Sequence, residues 1–234
     1  MIEKQRVLAV VPARSGSKGL PGKNLRQLGD RPLVAWSVPE AKKSRYIDKL
    51  VLSSDSDEIL DVGRAHGFDE VIKRPSELST DTARAEDVLI HALEAQDEHF
   101  GYILMLHSTV PLRQAEDIDG SIELCHRAGA PTCVAVAESA KSPYWMFQRA
   151  DKDCLEPLFG WENLRKRRQD LPPAYFPTGA VFVATTEWFC KTRDFYCDRT
   201  VGYVMPNSRA IDIDAETDFQ LVAWILAHEE DGDG

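Results

Sequence analysis

The residues with the most chemistry to offer stand in VVPARSGSKGLPGKN, residues 10–24, where Arg14, Lys18 and Lys23 are interleaved with Gly16, Gly19 and Gly22. Glycine turns let successive backbone N–H groups converge on an anion, and the cations add charge that side-chain rotation can aim, so a polyphosphate suits the pattern. It is not a P-loop, because Ser17 stands where GxxxxGK[ST] needs glycine and Asn24 follows Lys23; nor is it GxGxxG, because Lys18 takes the second glycine position. A flexible basic turn is the bland alternative, and three cations within ten residues of a net-acidic chain argue against it.

A second set is Asp212-Ile213-Asp214. If this stretch is a strand, its period of two puts both carboxylates on one side while Ile211 and Ile213 face the core. Two hard oxygen ligands on one face suit Mg²⁺ or Mn²⁺, with positions left for water and phosphate oxygens. The other reading is a helix N-cap by Asp214 ahead of Ala215-Glu216-Thr217-Asp218, and both stay open. A third set joins Arg165, Lys166, Arg167 and Arg168 to Leu171, Tyr175 and Thr178-Gly179-Ala180. Arginine grips a planar carboxylate in bidentate fashion, whereas a charge run on a loop is ordinarily a solvated patch. His107 follows an apolar run, at the carboxyl edge where open α/β sheets bind ligands. His66, His91, His99, His126 and His228 read as surface residues, Asp117 and Asp119 as helix caps, and Asp55 as a neighbour of the site. No GxSxG supports a hydrolase triad.

Strands are predicted at Arg6–Val11, Leu50–Ser53, Tyr102–Leu106 and Thr132–Ala137, and their continuous apolarity implies burial on both faces. Helices are predicted near Leu33–Lys43, Asp57–His66, Ala83–Glu98 and Asp117–Ala128. The alternation predicts an α/β fold with a mostly parallel sheet and helices on both faces. The rhythm breaks over about 140–178, an excursion in one 1–234 domain that carries five prolines between Lys141 and Pro177. Tyr144–Gln148 and Val181–Ala184 are predicted as strands of a small antiparallel lobe. There Tyr144, Trp145, Phe147 and Phe159 invite a second copy of the chain. Strands near Tyr203–Met205 and Ala210–Asp214, a helix from about Glu216 to Ala227 and a frayed tail from Glu229 complete the expected order.

The 234 residues can bury a substantial core, and 28 Lys+Arg against 38 Asp+Glu give a net charge of −10. That charge argues against nucleic-acid or anionic-membrane binding. The N-terminal apolar run is too short for a signal peptide, which predicts a cytoplasmic protein. Five cysteines in no CxxC pattern predict reduced thiols packed as small core residues.

The chain resembles the CMP-sialic acid synthetases (acylneuraminate cytidylyltransferases) and their legionaminic- and pseudaminic-acid relatives. The likeness is carried by Ala13–Gly19 with Lys23-Asn24, Arg74-Pro75 with Glu77-Leu78 and Asp81, Pro111-Leu112-Arg113, Arg168 with Leu171-Pro172, Gly179-Ala180, and Ile211–Asp214. The resemblance implies a Rossmann-like nucleotidyltransferase fold and a homodimer or tetramer whose small lobe closes the neighbouring site. It implies the coupling of CTP to the anomeric hydroxyl of a nonulosonic acid, for glycan synthesis, with loss of pyrophosphate. It assigns Ala13, Arg14, Ser17, Lys18, Lys23, Asn24, Arg74 and Ala83 to the nucleotide, and His107, Arg168, Phe182, Phe195 and Tyr196 to the sugar. Asp212 and Asp214 are assigned to the metal, and they join Arg14 and Lys23 in catalysis. His107 stands where the sialic-acid enzymes commonly carry glutamine, Trp145 where some carry lysine, Thr178 where asparagine is frequent and Phe182 where tyrosine is. These departures point to a modified sugar of the legionaminic or pseudaminic type. CTP activation of the eight-carbon acid Kdo and a CTP-binding module without turnover are the alternatives, and the absent GxGxxG weakens a dehydrogenase reading.

Overall fold

The computed structural model of the chain describes residues 1–16, 19–80 and 82–229. Its strands are β1 (Val7–Pro12), β2 (Gln27–Leu28), β3 (Arg31–Pro32), β4 (Ile47–Ser54), β5 (Glu70–Lys73), β6 (Tyr102–Met105), β7 (Thr132–Glu138), β8 (Phe147–Arg149), β9 (Leu155–Pro157), β10 (Tyr175–Thr185) and β11 (Val201–Val204). Its α-helices are α1 (Ser37–Lys43), α2 (Asp57–His66), α3 (Ala85–Glu94), α4 (Ala115–Arg127), α5 (Thr186–Thr192) and α6 (Glu216–Glu229). Among the described residues, seven strands form the main sheet in the order β11-β7-β10-β6-β1-β4-β5. All of its pairings are parallel except the two that β10 makes, with β6 and with β7.

The apolar runs have the burial expected of them. Along β1, Val7, Ala9 and Val11 enter one core with residues of α1, α2 and α4, while Leu8 and Val10 enter another with residues of α3 and α5. Both faces are covered, which is why alternation is lost from the sequence. Helix α2 starts on Ser56, whose hydroxyl accepts from the Ile59 N–H, and stops at Gly67 in the left-handed region with φ 94°. Its Gly63 packs against Leu52, where an added Cβ would collide with the leucine side chain.

Four expectations need correction. Val181–Ala184 belongs to β10 in the main sheet, not to the small lobe; the excursion leaves after β7 and returns as the strand that fills the gap between β6 and β7. The lobe's own sheet is the β8–β9 hairpin, and Tyr144 lies in a short 3₁₀ turn before it. Ala210–Asp214 forms no strand: Ile213 donates its N–H to the Thr109 carbonyl (2.9 Å) and buries its side chain beside Phe219 and Leu112, so packing rather than a ladder holds this segment. Asp119 caps nothing. It accepts from Ser44 Oγ and the Arg45 side chain and so ties α1 to α4, whereas Asp117 does accept from the Gln114 N–H at the start of α4. Arg209 then grips the buried Asp117 carboxylate with two donors, 3.0 and 2.8 Å. Of the tail expected from Glu229, Glu229 itself ends α6 and residues 230–234 lie outside the described residues.

The cysteines divide, against the expectation that all lie in the core. Cys125 and Cys133 are fully buried, and burial pushes each thiol up to about 12, whereas Cys154 and Cys190 are exposed. At pH 8 a thiol of that pKa is about one part in 10⁴ thiolate, against about a quarter for an ordinary cysteine. Titration with an aromatic disulfide reagent is therefore expected to release the Cys154 and Cys190 signals quickly and those of Cys125 and Cys133 only on denaturation; rapid reaction of all five thiols would contradict the packing.

Candidate active site

A cleft lies where chain order reverses across the sheet. From β1 the chain steps outward to β4 and β5, then returns to the other flank of β1 as β6, and ligands of open α/β sheets sit at this switch point. A cavity of about 500 Å³ opens there, walled by the turns that leave the carboxyl ends of β1 and β6. Pro12, Arg14, Gly16, Gly19, Lys23 and Asn24 supply one wall; Arg74, Leu78, Thr80, Ala83, Ala85 and Val88 another; His107, Ser108, Thr109, Asp212 and Asp214 the remainder.

Hydrogen bonds hold the glycine-rich turn. The Asp55 carboxylate accepts from the Ser15 N–H (2.9 Å) and the Ser15 hydroxyl (2.6 Å), and these bonds hold its pKa below the ordinary carboxylate range against the opposing effect of burial. Arg74 stands 3.8 Å from the same carboxylate, 5% exposed; burial lowers its pKa while Asp55 works the other way. Asn24 donates from Nδ2 to the Arg14 carbonyl (3.0 Å) and accepts from the Ser108 hydroxyl (2.7 Å), so both ends of its amide brace the cavity wall. Lys23 Nζ donates to the Ile213 carbonyl (2.7 Å) and to Asp214 Oδ1 (3.1 Å), joining the basic turn to the acidic segment. Gly19 comes so close to the Asp214 carbonyl that a Cβ would collide with it, so only glycine permits this approach.

Asp212 and Asp214 share the cavity although no strand carries them. Asp212 Oδ1 is buried without a hydrogen-bond partner among the described residues, and an orphaned carboxylate oxygen on a residue that lines the cleft fits a hard cation. The described residues contain no cluster of three His, Cys, Asp or Glu side chains suited to a metal, so an ion here would rely on the two carboxylates together with substrate oxygens. Asp218, not Asp214, closes the start of α6: its carboxylate accepts from the Asp214 and Ala215 N–H groups.

On the other side, β10 breaks register between Pro177 and Phe182. Within the break Thr178 is buried and bonds the Ala135 carbonyl, and Gly179 takes φ 75°. A Cβ on Gly179 would stand 3.1 Å from His107 Nδ1 and 3.3 Å from Asp212 Oδ2, so glycine lets three segments meet. The His107 ring lies 5.5 Å from that of Phe182, which packs 5.3 Å from Phe195 and 6.5 Å from Tyr196. Burial pushes the His107 pKa down, and the Asp212 carboxylate opposes that shift.

The structure therefore brings Arg14, Lys23, Asn24, Arg74, Ala83, His107, Asp212 and Asp214 to one cavity. It does not bring all the expected residues there. Ala13 is 1% exposed and packs in the core, because the alternation of β1 continues through it and leaves Pro12 and Arg14 to face the cleft. Phe195, 2% exposed, backs Phe182 from within the core and has no face left for a sugar, while Tyr196 is open to solvent. Arg168 lines a separate cavity of about 330 Å³ with Ser142 and Gln169, 3.6 Å from Glu138. Ser17 and Lys18 lie outside the described residues, as does Asp81. Sequence reasoning missed Thr80, whose carbonyl accepts from Arg14 (3.5 Å), and Ser108 and Thr109, which carry no charge to draw attention to them. Their signal was position, immediately after a buried strand.

Residues 8–175 match the sequence profile of the cytidylyltransferase family. The chain is 29% identical over 222 residues to the N-acylneuraminate cytidylyltransferase of Escherichia coli, covering 95% of this chain and 52% of that one. It is 32% identical over 233 residues to the CMP-N,N'-diacetyllegionaminic acid synthase of Legionella pneumophila, covering 94% and 96%. It thus spans about half the length of the Escherichia coli relative and nearly all of the Legionella one. A solved structure of CMP:2-keto-3-deoxy-manno-octonic acid synthetase complexed with CTP shares the fold, with a TM-score of 0.73 at 13% identity over 96% of this chain and 99% of that chain. Together with an α/β sheet whose switch-point cleft holds a glycine-rich basic turn facing two aspartates, these matches make the chain a member of the cytidylyltransferase family.

Proposed function

We propose that the protein joins CTP to the anomeric hydroxyl of a nonulosonic acid, releasing pyrophosphate and giving a CMP-sugar for glycan synthesis. The observation that carries this reading is the single cavity of about 500 Å³ that Arg14, Lys23, Asp212 and Asp214 line together, with Lys23 bridging directly to Asp214. The hydroxyl oxygen attacks the α-phosphorus and gives up its proton to solvent, the bond from phosphorus to the bridging oxygen breaks, and pyrophosphate leaves with the electron pair. Such a transfer depends on positioning and on neutralising the charge that builds on the leaving group. Arg14 and Lys23 are the cations placed to do so, with Ser17 and Lys18 completing the turn in sequence. Arg74 and Ala83 line the same cleft and would hold the nucleoside.

Asp212 and Asp214 would hold Mg²⁺ or Mn²⁺. Bound there, the ion would neutralise phosphate charge and polarise phosphate oxygens. Phe182 is buried behind His107 and does not line the cavity, so the sugar side rests on His107, which stands where sialic-acid enzymes commonly carry glutamine; that departure supports a sugar of the legionaminic or pseudaminic type, and the Legionella relative is named for such an acid. Two copies would assemble through the excursion, where Phe147, Leu155, Leu158, Phe159 and Trp161 are each at least 40% exposed, and Arg168 would reach the sugar's carboxylate in the neighbouring copy's site. No described helix is long and apolar enough to cross a membrane, and we assign the reaction to the cytoplasm.

Pyrophosphate release is the test, measured with CTP and Mg²⁺ against N-acetylneuraminate, legionaminate, pseudaminate and Kdo, with ATP, GTP and UTP as nucleotide controls. Release with CTP and one nonulosonic acid, strongest with legionaminate or pseudaminate, is the expected outcome. Preference for N-acetylneuraminate would overturn the sugar assignment, preference for Kdo would move the protein to the eight-carbon acid, and CTP binding with silence across the panel would favour a module without turnover.

A further inference from the structure

Among the described residues, Arg113 is a positive charge buried without an ion pair. Its residue is 2% exposed, and the nearby carboxylates serve other groups: Asp117 is held by Arg209, and Glu40 accepts from Lys43 and from the Ala115 N–H. Burial lowers its pKa to about 10. Taking a guanidinium out of water is costly, and a hydrophobic side chain of similar volume often serves stability as well or better. What a hydrophobe cannot supply is the set of donors that Arg113 uses. Nη1 donates to the His107 carbonyl (3.1 Å) and the Ala180 carbonyl (2.7 Å), and Nη2 donates to the Ser37 hydroxyl at the start of α1 (3.0 Å).

The two carbonyls belong to the segments that build one side of the cleft. In the segment after β6, Ser108 bonds Asn24 and the Thr109 carbonyl receives the Ile213 N–H, so the basic turn and the aspartate segment both hang on residues 107–109. Ala180 follows Gly179, where an added Cβ would crowd both His107 Nδ1 and Asp212 Oδ2. We infer that Arg113 is a positioning residue: by clamping the His107 and Ala180 carbonyls it fixes the His107–Gly179–Asp212 corner, where the attacking sugar must meet the α-phosphate. The assignment of that corner to the sugar rests on the proposed function; the clamp itself does not.

The test compares Arg113→Met, which keeps most of the volume but loses the donors, with Arg113→Lys, which keeps charge and part of the donor set. For Arg113→Met the expected result is a sugar KM raised about tenfold and a kcat lowered roughly 10- to 100-fold, while the CTP Kd stays within about threefold. Arg113→Lys should fall between it and the parent. Amide hydrogen exchange in peptides spanning 107–109 and 179–180 should quicken about tenfold in Arg113→Met while peptides from β1 keep their protection. A purely structural arginine would instead lower the folded fraction and leave both substrate constants as they are. That result, equal weakening of CTP and sugar, or unchanged exchange at 107–109 and 179–180 would overturn the inference. If the parent protein turns over none of the sugars, the proposed function fails, and the exchange and CTP arms still judge the clamp.

Discussion

Replacing Asp212 with asparagine is expected to lower kcat by about 10³-fold or more while leaving the thermal midpoint unchanged or raised. The substitution keeps the shape of the side chain and removes its charge. Among the described residues Asp212 Oδ1 is buried and unpartnered, and a carboxylate oxygen in that state is a stability cost, roughly 1–3 kcal/mol for a neutral group and more for a charged one. A residue that weakens the free protein and lines the cleft is best explained by what it meets on binding. Activity and stability should therefore move in opposite directions, which a residue serving the core would not do. The measurements are steady-state rates over a Mg²⁺ titration and a melting curve of each protein. A near-normal rate for Asp212→Asn at saturating Mg²⁺ would remove the metal assignment.

Lys23→Met is expected to reduce kcat/KM for CTP by roughly 10²- to 10³-fold, the loss typical when one preorganised donor to developing charge is deleted. Lys23 has a partly buried side chain whose ammonium reaches the Ile213 carbonyl and Asp214 at once. It therefore has two tasks: supplying positive charge on the phosphate side of the cleft, and tying the basic turn to the aspartate segment. Lys23→Arg retains the charge with different reach and should recover part of the loss. Measuring kcat and KM separately distinguishes the tasks, because loss of charge stabilisation lowers kcat whereas a slack turn raises the CTP KM. A Lys23→Met protein within about threefold of the parent in kcat/KM would show that the turn binds phosphate through its backbone alone.

The opposite outcomes for β1 and for Ala210–Asp214 show where sequence reasoning holds. Both are short apolar stretches, and only β1 is a strand. Its apolar side chains are contiguous because helices cover both faces, and any such run flanked by turn residues reads correctly. Ala210–Asp214 has the alternation of a strand but, among the described residues, donates a single backbone hydrogen bond to the segment after β6 and packs Ile213 beside α6. Alternation reports which side chains are buried, not what buries them. The same limit explains β10: its residues read as a strand, but that it would return from the excursion to lie antiparallel between two strands of the main sheet is a property of pairing, absent from local pattern.

For the site, residue types and spacing were sufficient to single out the basic glycine turn, Asp212 with Asp214, and His107, because charge clustered in a net-acidic chain and position after a buried strand are both written locally. The sequence by itself also determined the fold class, since strand-sized apolar runs separated by amphipathic helices leave few other ways to bury their surface. Tertiary structure alone decided that Arg113 is a buried clamp rather than a surface charge, that Asn24 braces a wall with both ends of its amide, that Ala13 belongs to the core, and that Arg168 lines a cavity of its own. Each of these depends on contacts between segments tens of residues apart, where the meeting of side chains is set by how strands pair and helices pack, and no local period encodes it.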